Sequence, residues 1–194
     1  MQKKIKRLYL KLQNKMMKRW DRALPFAELV VDRWEKAELL GFGKGTSIYD
    51  SSIILGNVEV GDNTWIGPNT MLDGTGGKLT IGNHCSISTG VHIYTHDTVD
   101  YCVSGGIVPK SCDSVYIGNN CYIGPKVIIS KGVTLGDCCI VGANSFVNKG
   151  FDDYSIIAGT PAKKIGYVQI NQNGEVKRIY NTAKEVKGNN IIKD

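Results

Sequence analysis

The sequence predicts an all-β solenoid, in which short strands wind three to a coil around a ladder of aliphatic side chains. An aliphatic residue recurs every six residues between Val115 and Lys149, and glycine follows four of the six. The six are Ile117, Ile123, Ile129, Leu135, Val141 and Val147. A helix would turn such a row by about 240° at every step, and the run exceeds ordinary strand length. With a helix and a single long strand excluded, the pattern predicts short strands joined by tight turns.

The same pattern extends towards the N-terminus with one shift and one interruption. The spacing holds at Ile48, Ile54, Val60, Ile66 and Leu72, and it resumes at Ile81, Ile87 and Ile93 after a three-residue shift. We expect the shift to be a turn that bulges at 74–77. The aliphatic rule then fails until Ile117, in a polar and turn-rich stretch. We predict a loop extruded from the coil at about 95–113, and long loops within compact repeats are usually functional.

The chain divides into a helical segment at 1–44, the repeat domain at 45–166 and a closing segment at 167–194. We expect an amphipathic helix within 1–20 and a second helix at 26–40, behind Pro25, that caps the open end of the coil. Asn173-Gly174 predicts a β-hairpin at 168–180, and the last dozen residues are expected to be loosely ordered.

The charge is concentrated at one end of the chain. The net charge is +6, but residues 1–20 carry eight Lys or Arg and no acid, which leaves 16 bases and 18 acids elsewhere. A nearly neutral body argues against nucleic-acid binding. The basic helix could contact an anionic membrane surface, pack on a neighbouring subunit or fray in solvent. Nothing resembles a membrane span or a secretory signal, so we expect a cytoplasmic protein, with a peripheral position at the inner membrane surface as an open alternative.

The six cysteines predict neither a metal site nor a disulfide framework. No C-x-x-C pair occurs, and Cys85, Cys121 and Cys139 occupy the small inner position of the repeat. We expect these three to be buried as small apolar side chains.

Several motifs carry a resemblance to a known family. The hexads at 117–122 and 141–146, with Ala158-Gly159-Thr160-Pro161-Ala162-Lys163 after them, resemble the hexapeptide-repeat acyltransferases over about 45–166. Ile93-Tyr94-Thr95-His96-Asp97 resembles the sugar O-acetyltransferase branch of that family. The resemblance implies a left-handed parallel β-helix, a homotrimer and acetyl-CoA bound between neighbouring subunits, without a metal. The sequence departs from the family pattern at Gly150, near which the family often has proline.

The chemistry of acyl transfer requires a base, because a neutral sugar hydroxyl is a poor nucleophile. Of the three histidines, His84 and His92 lie in regular hexads, whereas His96 lies where the coil breaks into the loop. The resemblance assigns the general base to His96. Asp97 or an acid of the opposite subunit could orient the imidazole. No serine or cysteine lies in a nucleophile motif, so we predict direct transfer in a ternary complex.

For the ligands, the resemblance points to Gly124 and Ala143 beside the pantetheine arm of CoA and to Lys163 for a phosphate, while Asp73, beside the phase shift, is a candidate for holding the acceptor. The predicted function is acetyl-CoA-dependent O-acetylation of a sugar or polysaccharide precursor. Two alternatives stay open: N-acylation of a nucleotide-linked amino sugar, and a noncatalytic solenoid that binds or scaffolds.

Overall fold

The N-terminal segment is helical. The structure is a computed structural model that describes residues 1–181, so the tail predicted to be loosely ordered lies outside the described residues. Helix α1 spans Gln2–Trp20, α2 spans Phe26–Val30 and α3 spans Arg33–Leu39. Within residues 1–181, no helix is both long enough and apolar enough to cross a bilayer.

The prediction of one helix at 26–40 is wrong, because the chain breaks between α2 and α3. Val31 and Asp32 have extended backbone angles. The Asp32 carboxylate accepts hydrogen bonds from the backbone N–H groups of Trp34 and Glu35, at 2.9 and 3.2 Å, and so caps a new helix. The capping signal of Asp32 therefore overrides the continuous apolar face.

The repeat domain is a coil of parallel strands. The first coils contain β1 Ser47–Ile48, β2 Ile53–Val60, β3 Trp65–Ile66, β4 Met71–Ile81, β5 Ser86–Ile87 and β6 His92–Tyr94. The excursion contains β7 His96–Asp97, α4 Val99–Val103 and β8 Ser111–Cys112. The coil resumes with β9 Val115–Ile117, β10 Tyr122–Ile123, β11 Ile128–Ile129, β12 Thr134–Leu135, β13 Ile140–Val141 and β14 Phe146–Val147. Ile123 pairs with Val141 and Ile129 with Val147, so one coil takes 18 residues, or three hexads.

The predicted aliphatic ladder forms the core. Of its fourteen members, all but Ile54 are buried. Ile54 is half-buried and packs against the core from its edge. The three-residue shift is a bulge in β4, where Gly56 pairs with Gly74 but Val58 pairs with Leu79. A side chain at Gly74 would collide with the Asn57 carbonyl oxygen, so only glycine fits there.

A corner ladder of amide and carboxylate side chains links successive coils. Its members are Asp62, Asn83, Asn119, Asp137 and Asp153. The Oδ1 atom of each accepts a hydrogen bond of 2.7–2.9 Å from a backbone N–H one coil earlier, beginning with Lys44. Each coil therefore satisfies a donor that the turn of the previous coil leaves open.

The inner cysteines behave as predicted. Cys85, Cys121 and Cys139 are buried and unbridged, and their thiols contact the carbonyl oxygens of Gly118, Gly136 and Asp152 at 3.1–3.3 Å. Hydrogen bonding to the neighbouring Cys139 and Cys85 thiols, together with burial, raises the pKa of the Cys121 thiol. Because the thiolate is the reactive form, Cys121 is a structural residue.

The coil is closed at its far end by antiparallel strands. Strand β15, Ser155–Gly159, pairs in parallel with β13 and antiparallel with β16, Ala162–Ile170. Strand β16 then pairs with β17, Val176–Tyr180, which is the hairpin predicted around Asn173-Gly174. Gly174 has a φ of 80°, a conformation that glycine adopts without strain. These strands cover the edge of β13 in the last coil.

Candidate active site

The site lies where the bulge of β4 meets the mouth of the excursion. Thr95 is fully buried, and its hydroxyl donates to the Asp73 carbonyl oxygen at 2.9 Å and accepts from the Gly76 N–H at 3.0 Å. The next residue is His96, in β7, which pairs antiparallel with β8. Two features that were separate in the sequence, the phase shift and the extruded loop, therefore form one structural unit.

His96 is held on one side by a buried carboxylate. Its Nδ1 atom lies 3.5 Å from Asp73 Oδ2 and 3.2 Å from Thr75 Oγ1. Asp73 Oδ1 accepts hydrogen bonds from the backbone N–H and the hydroxyl of Thr75, at 2.9 and 2.6 Å. The Asp73 side chain is only 6% exposed, whereas that of His96 is 25% exposed. The carboxylate is thus enclosed and the imidazole remains accessible.

This arrangement favours one tautomer of His96. Since the Thr75 hydroxyl donates to Asp73, its oxygen is free to accept, and the matching partner is a proton on Nδ1. Nε2 is then the basic nitrogen, and within residues 1–181 it has no hydrogen-bond partner in the protein. An imidazole held at Nδ1 with Nε2 open has the geometry of a general base.

Asp97 has a different role from the one the sequence suggested. Its carboxylate lies 2.7 Å from Lys131 Nζ, and this hydrogen bond lowers the pKa of Asp97 and raises that of Lys131. Asp97 therefore ties the excursion to the coil, while the acid beside the imidazole is Asp73. The hexad register contained a signal for this contact. Asp73 follows Leu72 in one coil as Tyr94 follows Ile93 in the next, so Asp73 pairs with Tyr94 in the sheet, two residues before His96.

The other two histidines lack such surroundings. His84 is exposed in a turn with a φ of 53°. His92 Nδ1 contacts the Tyr94 hydroxyl at 3.1 Å. Among the described residues, neither histidine forms an ion pair with a carboxylate.

The residues expected near CoA lie along a different corner of the coil. Gly124 is buried, and a Cβ there would lie 2.7 Å from the Val141 carbonyl oxygen and 2.8 Å from the Ala143 nitrogen, so the stacking of coils itself requires glycine. Ala143 is exposed one coil further on. Lys163 is exposed on β16, opposite Ala158. The corner after β10 and β13 is not the corner after β6, where His96 lies, so one chain alone does not bring these residues to the base.

The described part of the chain contains no group of three or more His, Cys, Asp or Glu side chains placed to hold a metal ion.

The structure is thus a solenoid of six-residue repeats, with an imidazole and a buried carboxylate at the mouth of an excursion. Residues 114–149 match the family described as bacterial transferase hexapeptide, six repeats. The repeat region of the chain is therefore similar to this family over residues 114–149.

Similar proteins match longer stretches of the chain than the 36 residues at 114–149. The chain is 31% identical over 126 residues to the carnitine operon protein CaiE of Proteus sp. (strain LE138), covering 61% of this chain and 62% of the relative. It is 33% identical over 107 residues to the putative colanic acid biosynthesis acetyltransferase WcaF of Escherichia coli K12, covering 54% of this chain and 56% of the relative. The chain thus spans less than two thirds of these curated relatives.

A solved structure agrees with the fold. A hexapeptide-repeat acetyltransferase of Vibrio cholerae O1 biovar eltor, crystallised with acetyl coenzyme A, superposes with a TM-score of 0.60 at 27% identity. The superposition covers 84% of each chain.

Proposed function

We propose that this chain is an acetyl-CoA-dependent O-acetyltransferase that acts on a sugar or polysaccharide precursor. The observation that carries the proposal is the buried Asp73 carboxylate and Thr75 hydroxyl that face Nδ1 of His96 and leave Nε2 open. The similarity to a putative acetyltransferase of colanic acid biosynthesis and to an acetyltransferase crystallised with acetyl coenzyme A supports the reaction class.

The mechanism is direct transfer in a ternary complex. Nε2 of His96 takes the proton of the acceptor hydroxyl as its oxygen attacks the thioester carbonyl carbon. When the carbon–sulfur bond breaks, the imidazolium returns the proton to the departing CoA thiolate. Backbone N–H groups at the loop mouth are the proposed donors to the transient oxyanion. Asp73 stabilises the imidazolium and fixes its orientation.

The proposed assembly is a homotrimer of left-handed coils with CoA bound between subunits. Gly124 and Ala143 would line the pantetheine arm and Lys163 would bind a phosphate. Their position at a different corner from His96 supports this assembly, since a neighbouring subunit can bring the two corners together. No metal takes part in the proposed reaction. The protein would work in the cytoplasm, with residues 1–20 against the membrane.

The test is a thiol-release assay with acetyl-CoA and a panel of free, nucleotide-linked and polymeric sugars. With the best hydroxyl acceptor, His96→Ala should lower kcat by roughly 10²- to 10⁴-fold, the usual contribution of a positioned base, and should hardly change CoA affinity.

His84→Ala and His92→Ala are the matched controls, and both should retain most of the activity. Near-native kcat for His96→Ala on a hydroxyl acceptor would rule out the proposed base. Turnover of amino sugars alone would favour the N-acyltransferase alternative, and no thiol release at all with intact folding would favour a noncatalytic solenoid.

A further inference from the structure

Helix α1 projects from the coil with little of its surface covered. None of its 19 residues is buried. Its contacts to the body include a tilted packing of Tyr9 on Phe26, at 6.3 Å between ring centroids, and a 3.4 Å hydrogen bond from the Leu24 N–H to Gln13. Because helices in proteins draw most of their stability from packing an apolar face, α1 requires a surface to cover it.

A groove lies between α1 and the pair α2–α3. Its volume is about 560 Å³. Apolar side chains contribute to its walls, and its distinctive members are four bases and two tryptophans: Lys15, Arg19, Arg22, Arg33, Trp20 and Trp34.

The positive charge of the groove is not compensated from within. None of the four bases forms an ion pair with a carboxylate in residues 1–181. The two acids of the groove already serve other groups. Glu28 is 7% exposed and accepts hydrogen bonds from the backbone N–H groups of Asp50 and Ser51, while Asp32 caps α3. The surface is therefore arranged to receive an anion.

The two tryptophans suggest which anionic partner fits. Trp20 and Trp34 are 56% and 51% exposed. The Arg19 guanidinium lies 5.1 Å from the Trp20 ring centroid, and that of Arg33 lies 4.9 Å from the Trp34 ring centroid. Tryptophan has an apolar ring with a polar N–H and concentrates at membrane–water interfaces, where arginine meets phosphate.

We infer that this groove docks on an anionic phospholipid surface, with lipid phosphates on Arg19, Arg22 and Arg33 and with both tryptophan rings at the headgroup level. The inference rests on the membrane contact proposed for residues 1–20 and gives it a site, and it is independent of acetyl transfer. A second copy of the groove is a poor occupant, since it carries the same positive charge. Clustered bases beside exposed aromatic rings match an anionic interface.

The experiment measures binding of the full chain to vesicles of phosphatidylcholine with and without phosphatidylserine. Binding should require the anionic lipid and weaken with salt. Each base near such a surface changes affinity about five-fold, so the double variant Arg19→Gln, Arg22→Gln should bind roughly 30-fold more weakly. Lys177→Gln with Arg178→Gln, which removes the same charge from exposed positions of β17, is the control and should bind as the native chain does.

Tryptophan fluorescence locates the contact. Brominated lipids should quench Trp20 and Trp34 but not Trp65, whose ring packs edge-on against Tyr49 in the coil. The variants Trp20→Phe and Trp34→Phe assign the signal, and thiol release with a soluble acceptor, unchanged in the arginine variants, shows that the acetyltransferase is intact.

Three results would overturn the inference. In the first, the arginine variant binds vesicles as the native chain does, while deletion of residues 1–20 abolishes binding. The contact would then be made by helix α1 and not by the groove. Equal weakening by the β17 control would reduce the effect to overall charge. A change of oligomeric state in the arginine variant, with no vesicle binding by the native chain, would make a second copy the occupant.

Discussion

Asp73→Asn tests the central pair of the candidate site with the smallest possible change in shape. The substitution keeps the volume of the side chain and removes its charge. Asp73 Oδ2 lies 3.5 Å from His96 Nδ1 and the Asp73 side chain is 6% exposed, so the carboxylate would stabilise the imidazolium that the proposed proton transfer forms. The structure predicts a loss in kcat rather than a loss of folding.

The size of the loss follows from the distance. Two unit charges 3.5 Å apart attract by about 4–5 kcal/mol at an effective dielectric constant near 20. If about half of the imidazolium charge has developed in the transition state, about 2 kcal/mol of stabilisation disappears. That corresponds to roughly 30-fold in kcat, which is smaller than the loss expected for His96→Ala.

Steady-state thiol release, with acetyl-CoA and acceptor varied in turn, measures this effect. Asp97→Asn is the matched control, because it makes the same substitution on an acid that is paired with Lys131, and its kcat should change little. Unchanged kcat for Asp73→Asn, or an equal loss for Asp97→Asn, would refute the assignment. A raised KM for the acceptor at constant kcat would instead support the acceptor-binding role first suggested by the sequence.

Three further predictions concern the fold, the assembly and the excursion. Ile123→Asp would place an unpaired charge in the ladder and should destabilise the coil by several kcal/mol, whereas a native-like denaturant midpoint would contradict the inward position of Ile123. Sedimentation should show three chains, and an active monomer would remove the intersubunit site. The hydrogen bond to Lys131 lowers the pKa of Asp97 in the folded chain. The ion pair with Lys131 is therefore fully formed when the pH is above the ordinary pKa of Asp, and it is lost as the pH falls through the lowered pKa. Hydrogen-exchange protection at 99–103, expressed relative to the intrinsic exchange rate at each pH, should therefore fall in acid, and Lys131→Gln should show low protection already at neutral pH.

Most of the coil could be predicted because its determinants are local and repeated. Each hexad places one aliphatic side chain inward, so Ile117 or Val141 can be assigned without knowledge of the rest of the fold. Ile54 shows the boundary of this logic, because it has the same place in the hexad as Ile48 and Val60, which are buried, and is itself only half-buried. The break between α2 and α3 shows the reverse case, in which one capping residue, Asp32, outweighs a longer periodic pattern.

The candidate site was only half predictable. The loop position of His96 was visible in the sequence, but its partner is 23 positions earlier, at Asp73, and the contact depends on two irregularities that meet in space. The six-residue repeat predicts the positions only of residues that follow it. Thr75 was missed for this reason, because the bulge that turns its hydroxyl towards Nδ1 lies outside the repeat.

The corner ladder determines where the chain can tolerate a change of length. Each Oδ1 atom binds the N–H one coil earlier, so one residue inserted between Asn119 and Asp137 would put every later aliphatic residue out of phase with its neighbour. The regular repeat contains extra residues at the β4 bulge and at the excursion. In both places the extra residues project from the coil, and the aliphatic ladder continues after them. A scan of short insertions should accordingly find permissive sites at loop-bearing corners and nowhere along the strands. The candidate active site lies where these two lengthened segments meet.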